Sequence, residues 1–101
     1  AADGSLANRR TWASLAASMI APDGIAVDAA DGIWVANALG PECVRVEEGG
    51  SITDRVTTAQ LAFACAIGGP DGRHLLVCTA AGSDAETAAA SPTGRLEIVE
   101  L

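Results

Sequence analysis

Short apolar, β-branched runs alternate with Gly- and Asp-rich turns along most of the chain. Residues 25–28 lead into Ala29-Ala30-Asp31-Gly32, and Ile33-Trp34-Val35-Ala36-Asn37 follows. An Asp-Gly between two such runs predicts a hairpin. Residues 43–47 alternate apolar and polar, Glu48-Gly49-Gly50 turns, and residues 51–57 continue with Ile52 and Val56 as the apolar positions. Residues 63–67 and 75–78 flank the turn Gly68-Gly69-Pro70-Asp71-Gly72. Residues 80–93 form a polar, Ala-rich excursion, with one helical turn expected over 85–90, and residues 95–101 close the chain as a strand. Near the start, 10–15 reads as one more strand after the Asp3-Gly4 turn, in competition with a helix over 12–17. Most connections are short, which suits antiparallel meanders rather than parallel strands with crossover helices.

The pattern repeats. Asp31-Gly32 recurs as Asp71-Gly72, 40 residues on, each between an apolar strand and a second one. Gly4-Ser5-Leu6 recurs as Gly50-Ser51-Ile52, 46 residues on, and the same offset sets Arg9 against Arg55. A period in the forties with four short strands is the mark of a propeller blade. The fold class expected is all-β: a fragment of a β-propeller, about two and a half blades of antiparallel four-stranded meanders. Residues 1–17 would end one blade, 23–57 would form a complete blade, and 62–101 would form an incomplete last blade. An independent small β-sandwich is the competing architecture.

Composition sharpens this. Half of the 101 residues are apolar, yet aromatics are 3%, with one Phe, two Trp and no Tyr. A chain this short buries a modest fraction of its surface, and small side chains leave the core thinner still. Blades that close against ring neighbours account for such a core. Thirteen acids face six Arg, for a net charge of −7. That argues against a nucleic-acid or anionic-membrane surface and favours a cation as ligand. No stretch approaches the ~20 apolar residues of a membrane span. The first ten residues have no apolar signal-peptide core, so a cytoplasmic location is expected. The cysteines Cys43, Cys65 and Cys78 lack metal-ligand spacing and read as small buried thiols.

Pro-Asp-Gly occurs at 22–24 and at 70–72, in two different places of the repeat. Asp71 falls in the turn between first and second strands, where its carboxylate is expected to cap backbone N–H groups. Asp23 falls at the opposite end, ahead of a first strand, where a propeller opens its central channel. From the residues alone, turn former and site residue are equally good readings of Asp23. Asn37 ends the second strand at the same end. It is a candidate substrate contact, or a loop-capping amide. Asp28 reads as structural, Trp34 as a packing residue between blades, and His74 as an ordinary strand-edge residue. No Gly-x-Ser-x-Gly or Ser/His/Asp arrangement is present, and the glycines at 68–72 lack the Lys and helix of a phosphate loop.

The stretch from Ala21 to Ala36, with Pro22-Asp23-Gly24, Asp28 and Trp34-Val35-Ala36, resembles the SMP-30/gluconolactonase (regucalcin-like) family. Cys43-Val44-Arg45-Val46, Cys65-Ala66-Ile67-Gly68-Gly69, Val77-Cys78-Thr79-Ala80 and Gly94-Arg95-Leu96-Glu97-Ile98 continue the likeness over essentially the whole chain. Asp31 departs from it, standing where the family usually has Gly. The resemblance implies the C-terminal third of a six-bladed propeller. It implies one divalent metal ion, calcium or zinc, and a small-molecule lactone substrate. Asp23 would be a metal ligand and the general base. The other ligands would come from the missing N-terminal part of the same propeller, and the chain alone would be inactive. The alternative is a non-catalytic propeller that binds a ligand or protein, with Asp23 a turn former. A strictosidine-synthase-like propeller matches in fold alone.

Overall fold

A computed structural model describes residues 3–15, 18–82 and 93–101. Seven strands follow one another: β1 (Pro22–Val27), β2 (Ile33–Asn37), β3 (Glu42–Val46), β4 (Ile52–Thr57), β5 (Leu61–Gly68), β6 (His74–Ala80) and β7 (Arg95–Glu100). They form two antiparallel meanders, a four-stranded sheet β1-β2-β3-β4 and a three-stranded sheet β5-β6-β7. Each strand expected from residue 25 onward is present. The expected helical turn over 85–90 lies outside the described residues.

The first sheet is apolar on both faces, which is why β2 reads as an uninterrupted run rather than an alternation. One face carries Trp34, Ala36 and Cys43, which pack against Ala62, Leu75 and Val77 of the second sheet. Val56, Cys65, Ile67 and Val99 extend this inter-sheet core. Trp34 is therefore the packing residue the sequence indicates. The opposite face carries Val35, Val44 and Val46, which pack with Ile20, Trp12, Ala13 and Leu15.

That second contact corrects the reading of 10–15 as a strand: the segment carries no strand. Trp12 and Ala13 are adjacent, yet both pack on the same sheet face, whereas strand residues alternate. Its backbone is tied down by Gly49 N–H donating to Trp12 O at 2.9 Å, and Arg10 pairs with Glu48. The thiols also differ from expectation. Cys43 is buried and Cys65 half-buried, but Cys78 is exposed on the far side of the second sheet. Contact with Cys65, together with burial, keeps the Cys43 thiol far above the usual range and hence protonated.

The β1–β2 hairpin is held by Asp28. Its carboxylate accepts the backbone N–H of Ala30 and Gly32, each at 3.0 Å, and the Arg45 Nε–H at 2.6 Å. Both side chains of this pair are largely covered, with 16% and 12% exposed. The Arg45 hydrogen bond, helped by the two backbone donors, holds the Asp28 carboxyl down to about 2. Asp31 sits in the left-handed region at φ 64°, a conformation an Asp tolerates where a Gly would be at ease. In the second hairpin Asp71 accepts the Arg73 N–H at 3.1 Å, the capping role its position indicates. His74 opens β6 with Nδ1 3.6 Å from the Asp71 carboxylate.

The two Pro-Asp-Gly glycines are required for different reasons. At Gly24 a Cβ would lie 2.6 Å from Ala64 Cα and 3.1 Å from Phe63 O, where β1 crosses β5. At Gly72 a Cβ would meet nothing within 4 Å, but φ is +69°. Gly24→Ala should thus cost about 1–3 kcal/mol by overpacking against backbone, and Gly24→Asn at least as much. Gly72→Ala should cost about 1–2 kcal/mol, and Gly72→Asn should recover most of it, because Asn tolerates the left-handed region. Urea unfolding midpoints read both. Asp28→Asn should lower stability at neutral pH by roughly 1.5–3 kcal/mol, the range for hydrogen bonds to charged groups. The Asp28 pKa is depressed on folding, so its contribution is whole above the ordinary 3.8 and is lost as pH falls toward about 2. Urea midpoints measured between pH 5 and 2 should fall less steeply for the variant than for the parent chain.

Candidate functional site

β1 and β2 bring Asp23 and Asn37 to one end of the first sheet, since Pro22 pairs with Asn37. The ladder slips between Pro22 and Ile25, which places Asp23 and Gly24 in an irregular stretch rather than a regular strand. That stretch is fixed from below. Gly24 has no side chain to hold it off Ala64, and the Cys65 thiol lies against the Trp34 and Gly24 carbonyls at 3.4 and 3.7 Å. The second sheet therefore carries the strand that presents Asp23.

Asp23 is exposed. Asp23, Asp31 and Glu100 are the carboxylates without a hydrogen-bond or ion-pair partner among the described residues. Asp31 belongs to the far hairpin and Glu100 pairs in register with His74 at the far end of the second sheet. At the Asp23 end the other acids are committed. Glu97 accepts the Ala59 N–H and the Thr79 hydroxyl, which lower its carboxyl pKa.

Asn37 is 3% exposed, and its amide is engaged at both ends. Its Oδ1 accepts the N–H of Ala21 and of Leu39, and its Nδ2 donates to Glu42 Oε2 at 2.9 Å. The loop-capping role is thus the one these bonds describe. Glu42 also accepts from Arg55 Nη1 at 2.7 Å. The Asn37 amide and the Arg55 guanidinium hold the Glu42 carboxyl below its usual range. Glu42 was not singled out from sequence, and Arg55 only as the repeat counterpart of Arg9. The available signal was the β3–β4 register, which brings residues 42 and 55 to one end of neighbouring strands.

Among the described residues no three His, Cys, Asp or Glu side chains group closely enough to hold a metal ion. Asp23 stands as a single exposed carboxylate, and the described residues do not by themselves make a metal centre. No helix among them is long and apolar enough to cross a membrane.

The chain is similar in fold to two solved structures. A luciferin-regenerating enzyme superposes with a TM-score of 0.78 at 22% identity, covering 99% of this chain and 35% of the other. A regucalcin from Agrobacterium tumefaciens, described as a calcium-binding protein, superposes at 0.68 and 24% identity, covering 88% and 31%. The chain thus spans about a third of the length of the structures it matches, and its two sheets correspond to part of a propeller. No curated protein sequence matches significantly. The family model described as SMP-30/gluconolactonase/LRE-like region matches residues 1–81. With most of its length matched, and with the two meanders and the Pro-Asp-Gly strand described above, this chain belongs to the SMP-30/gluconolactonase/LRE-like family.

Proposed function

We propose that this chain is the C-terminal part of a divalent-cation-dependent hydrolase that opens a lactone ring, with Asp23 as its contribution to the centre. The observation that carries this reading is the state of that carboxylate. Asp23 is exposed and uncommitted at the start of β1, while Asp28 and Glu42 are tied into structural pairs. Family membership and the calcium-binding description of the regucalcin neighbour support the choice of reaction and ion.

Lactone opening needs a water activated as nucleophile and an acyl oxygen stabilised as it gains charge. A cation, when bound, supplies the second of these and makes the water more acidic. Asp23 has the other task, accepting the proton of the attacking water. Its carboxylate is free to do so because no Arg is paired with it among the described residues. The buried Asn37 amide and Glu42 serve by holding the β2–β3 loop beside it. One oxygen donor cannot define the geometry of an ion, so the remaining donors, and most of the substrate pocket, belong to the rest of the propeller.

Asp23→Asn in the full-length enzyme should keep the fold, since the residue is exposed and the two side chains are nearly the same size. It should lower kcat/KM for lactone hydrolysis by at least 10²-fold, the usual scale for a positioned base. Wild-type turnover by a folded Asp23→Asn enzyme, judged by circular dichroism, would sink the assignment.

A further inference from the structure

Two of the three thiols meet inside the inter-sheet core. Cys43 comes from β3 of the first sheet and Cys65 from β5 of the second, while Cys78 is exposed. Their meeting follows from the register. Cys43 pairs with Ala36, and both lie in the core on the inner face of the first sheet. Ala36 fills little of the space above β2, and Cys65 takes it. Its sulfur lies 3.4 Å from the Trp34 carbonyl oxygen and 3.7 Å from that of Gly24, and it is in hydrogen-bond contact with the Cys43 thiol. Stacked sheets ordinarily stand about 10 Å apart, too far for a disulfide, whose Cα atoms lie at roughly 4.4–6.8 Å. Here the residue before Cys65 is so near β1 that a Cβ on Gly24 would stand 2.6 Å from the Ala64 Cα. The small-residue core thus brings the sheets close enough for sulfur to meet sulfur.

The two thiols differ in access and in charge. Cys43 is wholly buried and Cys65 half-buried. The Cys43 thiol, donating to the Cys65 sulfur, lowers the pKa of Cys65, and the Ala36 backbone adds to this. The same contact, with burial, raises the pKa of Cys43. The more accessible sulfur is therefore the one that more readily becomes a thiolate, and the buried one is held against it as a protonated partner. Thiolate character and access decide which cysteine an oxidant meets first.

We propose that Cys43 and Cys65 are an oxidisable pair that hydrogen peroxide closes into a disulfide between the two sheets, Cys65 reacting first and Cys43 resolving it. The Cys65 thiolate sulfur attacks one peroxide oxygen, and the O–O bond breaks. Cys65 becomes a sulfenic acid, and the departing hydroxide takes up the proton that Cys65 gave off, forming water. The Cys43 sulfur then attacks the Cys65 sulfur. The S–O bond breaks, and the oxygen leaves with the Cys43 proton as a second water. Both sulfurs are oxidised, both peroxide oxygens are reduced, and a dithiol reverses the bond. Cys43 needs no access of its own, because its partner is brought to it. Closure ties β3 to β5 directly behind the contact between Gly24 and Ala64. Asp23 takes no part in the step, so this inference and the hydrolytic reading fail independently.

The chain has no Lys, and Arg10, Arg45, Arg55, Arg73 and Arg95 place the three cysteines in separate tryptic peptides, 11–45, 56–73 and 74–95. Folded full-length protein, reduced and then exposed to hydrogen peroxide, should yield 11–45 joined to 56–73. By mass spectrometry the product should be lighter than the sum by two hydrogens, and dithiothreitol should separate it. Cys43→Ser should halt the reaction at the Cys65 sulfenic acid, read as a dimedone adduct on 56–73. Cys65→Ser should leave Cys43 reduced at the same peroxide dose. Recovery of both wild-type thiols unoxidised, a Cys65 sulfinic acid in place of the link, or a link from either cysteine to Cys78 would overturn the proposal. A dimedone adduct on 11–45 in the Cys65→Ser protein would overturn it equally.

Discussion

The end of the molecule that carries Asp23 rests on how closely β1 can lie on β5. The approach is backbone to backbone: a single Cβ at Gly24 would stand 2.6 Å from Ala64 Cα. Only a core of small side chains permits such a distance. Ala36, Ala62 and Cys43 are wholly buried there, and Trp34 is the largest side chain among them. The low aromatic content is thus less a weakness of the core than a condition of its geometry. Larger residues would bury more area per side chain but would push the sheets apart, and the strand carrying Asp23 would lose its support.

The polar groups divide along the same axis. At the hairpin end, Asp28 is locked by Arg45 and two backbone donors, and its carboxyl is held down to about 2. At the opposite end, Glu42 is shared between Asn37 and Arg55, leaving Asp23 unpaired. Partly buried charges persist only when they are compensated. Asp28 and Glu42 each compensate an arginine of the same sheet, Arg45 and Arg55. A carboxylate ringed by guanidinium groups would be a poor base and a poor ligand, since an adjacent positive charge favours the proton-free form and competes for its oxygens.

The sheets were readable because turn chemistry and period agree. Asp-Gly turns and β-branched runs fix each strand from residue 25 to the end within about three residues, the largest difference being at β1, which begins at Pro22 and takes in Asp23. The segment at 10–15 was not, because the same residues suit two fates. Trp12, Ala13 and Leu15 offer enough apolar surface for a strand, but a strand needs a ladder, and the described chain offers one backbone bond from Gly49. Sequence alone also left Asn37 open between capping and contact. What resolves its bonds is the antiparallel register, which sets Glu42 opposite it. Burial of Cys78 was expected from its residue type, whereas its exposure depends on what covers the second sheet, a matter that local sequence does not encode.

Incompleteness is the property that ties these observations together. A blade is a unit with two apolar faces, and its stability is borrowed from the neighbours that cover them. Here the inter-sheet core is closed, while Ile25 and Val27 on one flank and Leu96 and Ile98 on the other remain in solvent. Apolar rows of this kind on an exposed sheet with a free edge do not stay unpartnered at working concentrations. Whatever covers them must bring a strand for β7 and a face for each flank. Any such partner is constrained to the propeller geometry, because the twist and spacing of the two sheets already present set the curvature that the rest of the ring must continue.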